Sequence, residues 1–286
     1  FHPNSYPHFN IWIKRFLIVI LVIFNFSLIT AQGSPDTVSW TQYSLAAIKY
    51  PNPFRAYTDV ILQYPPLSMV IFSFFANAWS ILLGISKDYA IATKISIFVF
   101  YILTVITLSR LKVGWKVISR LNSLDKLLII LTTFSLIIQT QGLADVNIYV
   151  IPSLIAAITF LFKRNYFWSG FLFGITVSIK WQPLILIPVF LATILNLKYG
   201  LKSAWKNLSK FILAFLIIPS VVWVLVLKEP YGLFTIKRAF AFFIEGAAML
   251  SGQALNLNWI VTYLIHIFQP EKDSLSHLGG LNRQIA

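Results

Sequence analysis

Long apolar runs separated by short basic clusters recur from one end of this chain to the other. That alternation constrains the fold more than any other feature. Inside a bilayer every backbone N–H and C=O must find a partner within the protein, so only helices and closed barrels cross it. A barrel would show short segments alternating apolar and polar residues, and none is seen; the continuous runs predict helices. Composition agrees: 58% of the residues are hydrophobic and only 11% are charged, against roughly a quarter charged in soluble domains. The expected fold is all-α and polytopic, about eight transmembrane helices in a single domain over 1–286. The expected spans are 14–31, 94–110, 127–141, 148–162, 167–180, 183–197, 210–227 and 256–268. The chain opens on Phe1, which reads as a piece of a longer protein. The run from Phe16 to Ala31 lacks a convincing signal-peptidase site and reads as a first span, with a signal peptide as the alternative.

The net charge of +14 could suggest nucleic acid, but the Lys and Arg residues sit between apolar runs. Positive-inside topology accounts for them, and no nucleic-acid partner is expected. Lys14 and Arg15 place the N-terminus in the cytoplasm. The clusters Arg110–Lys126, Lys163–Arg164 and Lys198–Lys210 fall on that same side only if the apolar run 66–85 does not cross. That run is therefore expected to be re-entrant or interfacial. The segment 32–93 becomes one long extracytoplasmic loop, and eight of the nine acidic residues collect away from the cytoplasm.

Within this loop, Asp36–Ile48 reads as an interfacial helix carrying Trp40 and Tyr43. Asp36 follows Ser-Pro. It is either the cap of that helix or a carboxylate held at the membrane surface as a general base. Asp59 is the second candidate for that base. The joint Tyr64-Pro65-Pro66 fixes φ twice and forms a rigid entry to the run that follows. Asp145, with Gln141 and Asn147, lies in a short outer loop; a carboxylate so near the bilayer must be paired or wetted. Its plain reading is a cap for the span near Asn147.

Three stretches in this order resemble the GT-C glycosyltransferases: the first loop with Asp36 and YPPL from Tyr64, QGLADVNIYVIPSL from Gln141 to Leu154, and SGFLFGITVSIKWQPLILIPVF from Ser169 to Phe190. A weaker echo is SGQALNLNW from Ser251. The nearest likeness is to the prokaryotic polyprenyl-phosphate-mannose-dependent mannosyltransferases, glycosyltransferase family 87. A more distant one is to the dolichyl-phosphate-glucose-dependent glucosyltransferases. The resemblance implies inverting transfer of a hexose, mannose first, from a polyprenyl-phosphate donor to a lipid-linked or cell-surface glycan. It implies a site on the extracytoplasmic face of a prokaryotic cell membrane.

That chemistry asks for a base on the acceptor hydroxyl and cations on the departing phosphate. Asp36 is the expected base. Lys180, Lys237, Arg238 and Arg55 are the candidate phosphate ligands; Lys180 could equally snorkel to the headgroups. Asp145, Gln141, Asn147 and Tyr64 are the candidate sugar and acceptor ligands. No cofactor is expected, since no Walker or dinucleotide glycine pattern occurs. No metal site is expected either, because cysteine is absent and the four His residues are scattered. The alternatives are a lipid or glycolipid flippase, which would want charge at span centres and repeated halves, or a non-catalytic subunit of a glycosylation complex.

Overall fold

The computed structural model describes residues 7–31, 33, 36–60, 64–84, 89–111, 133–195 and 201–246. Among these the regular structure is helical throughout, with no strand. The first helices are α1 (Pro7–Ser27), α2 (Asp36–Lys49), α3 (Pro53–Asp59), α4 (Pro66–Leu83) and α5 (Tyr89–Leu111). Prolines set two of the starts. Asn52 caps α3 by accepting from Phe54 N, with Pro53 at the first helical position, where a missing N–H costs nothing. Pro66 does the same for α4, and Pro65 before it is extended at φ −59°, ψ 157°. The Tyr-Pro-Pro joint therefore starts a helix over the apolar run.

The chain continues with α6 (Thr133–Gly142), whose last turn, Ile138–Gly142, is a π-turn. A 3₁₀ turn (Val146–Val150) leads into α7 (Ile151–Phe162), and α6 meets this segment at 109°. Next come α8 (Tyr166–Ile179), a 3₁₀ turn (Gln182–Leu186), α9 (Ile187–Ile194) and α10 (Leu201–Leu227). The turn between α7 and α8 puts Arg164 at φ 58°. It closes with Asn165 N donating to Phe160 O and Arg164 N to Leu161 O, which satisfies the carbonyls at the end of α7.

The core lies where α7, α8, α9 and α10 meet. Phe173 of α8 stacks on Phe190 at 4.5 Å, and Ala157, Leu161, Val177, Ile194 and Phe211 close around them. Glycine makes this packing possible. A Cβ on Gly170 would stand 2.2 Å from Phe211 O, and one on Gly174 2.4 Å from Phe215 O. The backbones of α8 and α10 thus touch along a Gly-x-x-x-Gly edge, as small residues allow between membrane helices.

Among the described residues two helices are long and apolar enough to cross a bilayer, α5 over Tyr89–Leu108 and α10; the bent pair around Gly142 makes three if it counts as one span. Eight spans are not confirmed among them. The expected spans 167–180 and 183–197 are a 14-residue α8 and a five-residue 3₁₀ turn running directly into the 8-residue α9. At about 1.5 Å per α-helical and about 2.0 Å per 3₁₀ residue each rises about 21–22 Å, short of a hydrocarbon layer of about 30 Å. The expected span 256–268 and residues 127–132 lie outside the described residues. The residues from Tyr231 form a second compact unit, whose described helix is α11 (Gly232–Gly246).

Candidate active site

Polar residues collect where several helices of the first unit end together. Lys94, 1% exposed, lies in the second turn of α5 and donates to Leu28 O at 3.4 Å, to Ala31 O, and to Gly142 O at 3.3 Å. Its charge thus sits at the carbonyl end of α1, the negative pole of that helix. Gln141 is fully buried and donates from Nε2 to Lys94 O at 3.0 Å. Asn52 Nδ2 donates to Glu229 Oε1 at 2.5 Å, tying the entry of α3 to the exit of α10.

The loop after the π-turn is held at successive atoms. Ala144, buried and at φ 57°, occupies a left-handed conformation that costs a non-glycine residue of order 1 kcal/mol or more. Its carbonyl accepts from Trp40 Nε1 at 3.0 Å, and Asp145 N donates to Thr140 O at 2.8 Å. The carboxylate of Asp145 then takes both donors of one residue: Asn147 N at 2.9 Å on Oδ1, and Asn147 Nδ2 at 2.6 Å on Oδ2. The expected cap is present, and it continues further. Asn147 Oδ1 accepts from Lys180 Nζ, and that ammonium stands 4.8 Å from the centroid of the Tyr64 ring. Lys180 is 6% exposed and turns inward at the end of α8, whereas Lys163 and Arg164 at the other end are exposed.

Aromatic rings wall this group. Trp40 stacks on Tyr64 at 5.6 Å and on Phe72 at 5.7 Å. Tyr57 donates its hydroxyl to Tyr64 O at 3.0 Å, and burial pushes its phenol well above the ordinary range, so it stays a donor. Trp181 stacks on Trp223 of α10 at 6.0 Å, with Tyr57 at 6.4 Å from Trp223. The joint of Tyr64 is thereby fixed from α2, α3 and α8.

Of the expected site residues, the structure brings Tyr64, Asp145, Asn147 and Lys180 into one connected group. Gln141 belongs instead to the Lys94 junction below the loop. Asp59 pairs with Lys49 at 3.4 Å on the exposed end of α3, and hydrogen bonds to Tyr50 and Asp59 raise the pKa of Lys49. Arg55 stands over the Tyr50 ring at 5.5 Å. Lys237 and Arg238 are exposed on α11, in the second unit. Asp36 is the first residue of α2. One turn later on the same face comes Trp40, the residue that stacks on Tyr64. The side chain of Asp36 lies outside the described residues.

Lys94 and Trp40 were not anticipated as site-building residues. A signal for Lys94 existed: a base just inside the start of an apolar run, a costly placement unless the charge is used. Among the described residues no group of His, Asp and Glu could hold a metal ion.

The model of glycosyltransferase family 87 matches residues 62–269, more than two thirds of the chain. The chain belongs to glycosyltransferase family 87. Membership makes it a membrane glycosyltransferase, which needs a sugar donor and an acceptor. The family match covers Tyr64, Asp145, Asn147 and Lys180 and begins after α2 and Asp36. No curated protein and no solved structure matched.

Proposed function

We propose that this family-87 chain transfers a hexose, mannose first, from a polyprenyl phosphate to a lipid-linked or cell-surface glycan, on the extracytoplasmic face of a prokaryotic membrane. The observation that carries the reading is the inward-turned Lys180 beside Tyr64 and Asn147, in a chain whose family transfers sugars. A sugar phosphate is already activated. The acceptor oxygen attacks the anomeric carbon, the C–O bond to phosphate breaks, and the phosphate leaves with its electron pair beside the Lys180 ammonium. The acceptor proton passes to the carboxylate of Asp36. One displacement inverts the anomeric centre and needs no covalent intermediate.

The same reading keeps α4 from crossing the bilayer. Its support is charge: only then do the basic clusters around Arg110, Lys163 and Lys206 share a side with Lys14 and Arg15.

The test is to supply membranes containing the chain with undecaprenyl-phosphate mannose, undecaprenyl-phosphate glucose and GDP-mannose, and to follow new glycans by mass spectrometry. Mannosylated product from the first donor alone is the expected result. Product from the nucleotide sugar alone overturns the polyprenyl-phosphate reading, and product from the glucose donor alone moves the sugar.

A further inference from the structure

We infer that Asp145 is a positioning residue that orients the Asn147 amide and, through it, aims the Lys180 ammonium. The inference rests on the reading of Lys180 as the phosphate contact. An Asn amide has two ends of almost equal shape, one a double donor and the other an acceptor. Only the acceptor end can take a hydrogen bond from an ammonium, so the rotation of Asn147 decides whether Lys180 is held or repelled. Asp145 settles that rotation. Its carboxylate accepts at both oxygens, Oδ1 from Asn147 N at 2.9 Å and Oδ2 from Asn147 Nδ2 at 2.6 Å. An ionised carboxylate has no proton to donate, so the amide oxygen cannot face it. Asn147 Oδ1 is thereby turned to Lys180 Nζ, and it accepts there.

The carboxylate is itself fixed from outside the pair. Asp145 N is anchored on Thr140 O at 2.8 Å, and the preceding Ala144, at φ 57°, gives its carbonyl to Trp40 Nε1 at 3.0 Å. Trp40 also stacks on Tyr64, the ring that Lys180 Nζ approaches. One rigid loop thus sets both the amide that holds the ammonium and the ring beside it. The carboxylate of Asp145 accepts from Asn147, and Asn147 in turn accepts from Lys180, so its effect on the phosphate passes through Asn147.

Binding of undecaprenyl phosphate to the intact purified chain in nanodiscs tests this, with undecaprenol as the phosphate-free control. Asp145→Asn keeps an acceptor for the Asn147 backbone N–H, since Asn caps as well as Asp. It lacks the second anionic oxygen that selects the amide orientation. Asp145→Asn should weaken undecaprenyl phosphate binding by roughly three- to tenfold, part of what a lost charge-assisted contact removes. Undecaprenol binding and the melting temperature should hold. Asn147→Ala should weaken phosphate binding as much or more, and the double variant should match Asn147→Ala alone, because Asp145 then has nothing to orient. Additive losses, equal losses for the two lipids, or wild-type binding in Asp145→Asn each overturn the inference. Lys180→Met separates the two levels. Wild-type phosphate binding in that variant overturns the phosphate reading and this inference with it. Weakened binding there, beside wild-type binding in Asp145→Asn, overturns the inference alone.

Discussion

At the residue scale, the base is the sharpest question. Asp36 opens α2, one turn before the Trp40 that stacks on Tyr64, and Asp59 is engaged with Lys49 on the exposed end of α3. A general base contributes about a hundred- to ten-thousand-fold in rate. Asp36→Asn preserves size and hydrogen bonding at a helix start. It should therefore leave expression and undecaprenyl phosphate binding unchanged while transfer falls by about that factor. Asp59→Asn should transfer at near the wild-type rate, since an exposed ion pair contributes about 1 kcal/mol or less. Both rates are read by product formation in membranes with matched protein levels. Wild-type transfer by Asp36→Asn, or loss in Asp59→Asn alone, would move the base away from Asp36.

At the element scale, two junctions carry distinct loads. Along α8 and α10 the backbones touch, with carbonyl oxygens where side chains at Gly170 and Gly174 would stand. Gly170→Ala should separate the helices and cost about 1–3 kcal/mol, the range for overpacking a filled interface. A fall in the melting temperature of the purified protein is the readout. Gly142→Ala is the contrast, because its added methyl would meet only Ile138 Cγ2 at 3.7 Å; it should melt like wild type. The second junction is Lys94, which binds the exit of α1 and the end of the π-turn to α5. Lys94→Met keeps most of the volume but strips the ammonium from buried carbonyls. The loss should be about 1.5–3 kcal/mol, seen as a lower melting temperature and faster proteolysis of the α1–α2 connection. An unchanged melt would mean that water or another group already serves those carbonyls.

At the scale of the whole molecule, orientation in the membrane is the outstanding quantity. Helix α10 is long and apolar enough to cross, carries Lys202 and Lys206 in its first turns, and is followed by Lys228, beside the Glu229 that holds Asn52. In the proposed orientation the basic start lies inside, and Lys228 and the α3 entry lie outside. The chain has no cysteine, which makes single-cysteine labelling clean. In intact cells an impermeant maleimide should label Lys228→Cys readily and leave Lys202→Cys untouched until the membrane is opened. The reverse pattern would put the polar end of the bundle in the cytoplasm and overturn the proposed outer-face reaction.

The sequence by itself determined the class of this protein, because the bilayer's demand for internal hydrogen bonding leaves a trace in every apolar run. It also determined where helices start, since Pro53, Pro66 and Asn52 act locally. It picked out Tyr64, Asp145, Asn147 and Lys180, whose residue types are costly beside lipid unless used. What it could not carry was length in space. The expected spans 167–180 and 183–197 fold as short helical pieces, and the segment before Gly142 meets the one after it at 109°. Nor could it carry partnership. Asn147 and Lys180 lie 33 residues apart, Lys94 and Leu28 66 apart, and no local pattern records such pairs. Asp145 was legible as a cap from its neighbours alone. That it also turns the Asn147 amide toward Lys180 was decided by the tertiary fold, because a hydrogen bond reads the distance and angle between atoms and not their order along the chain.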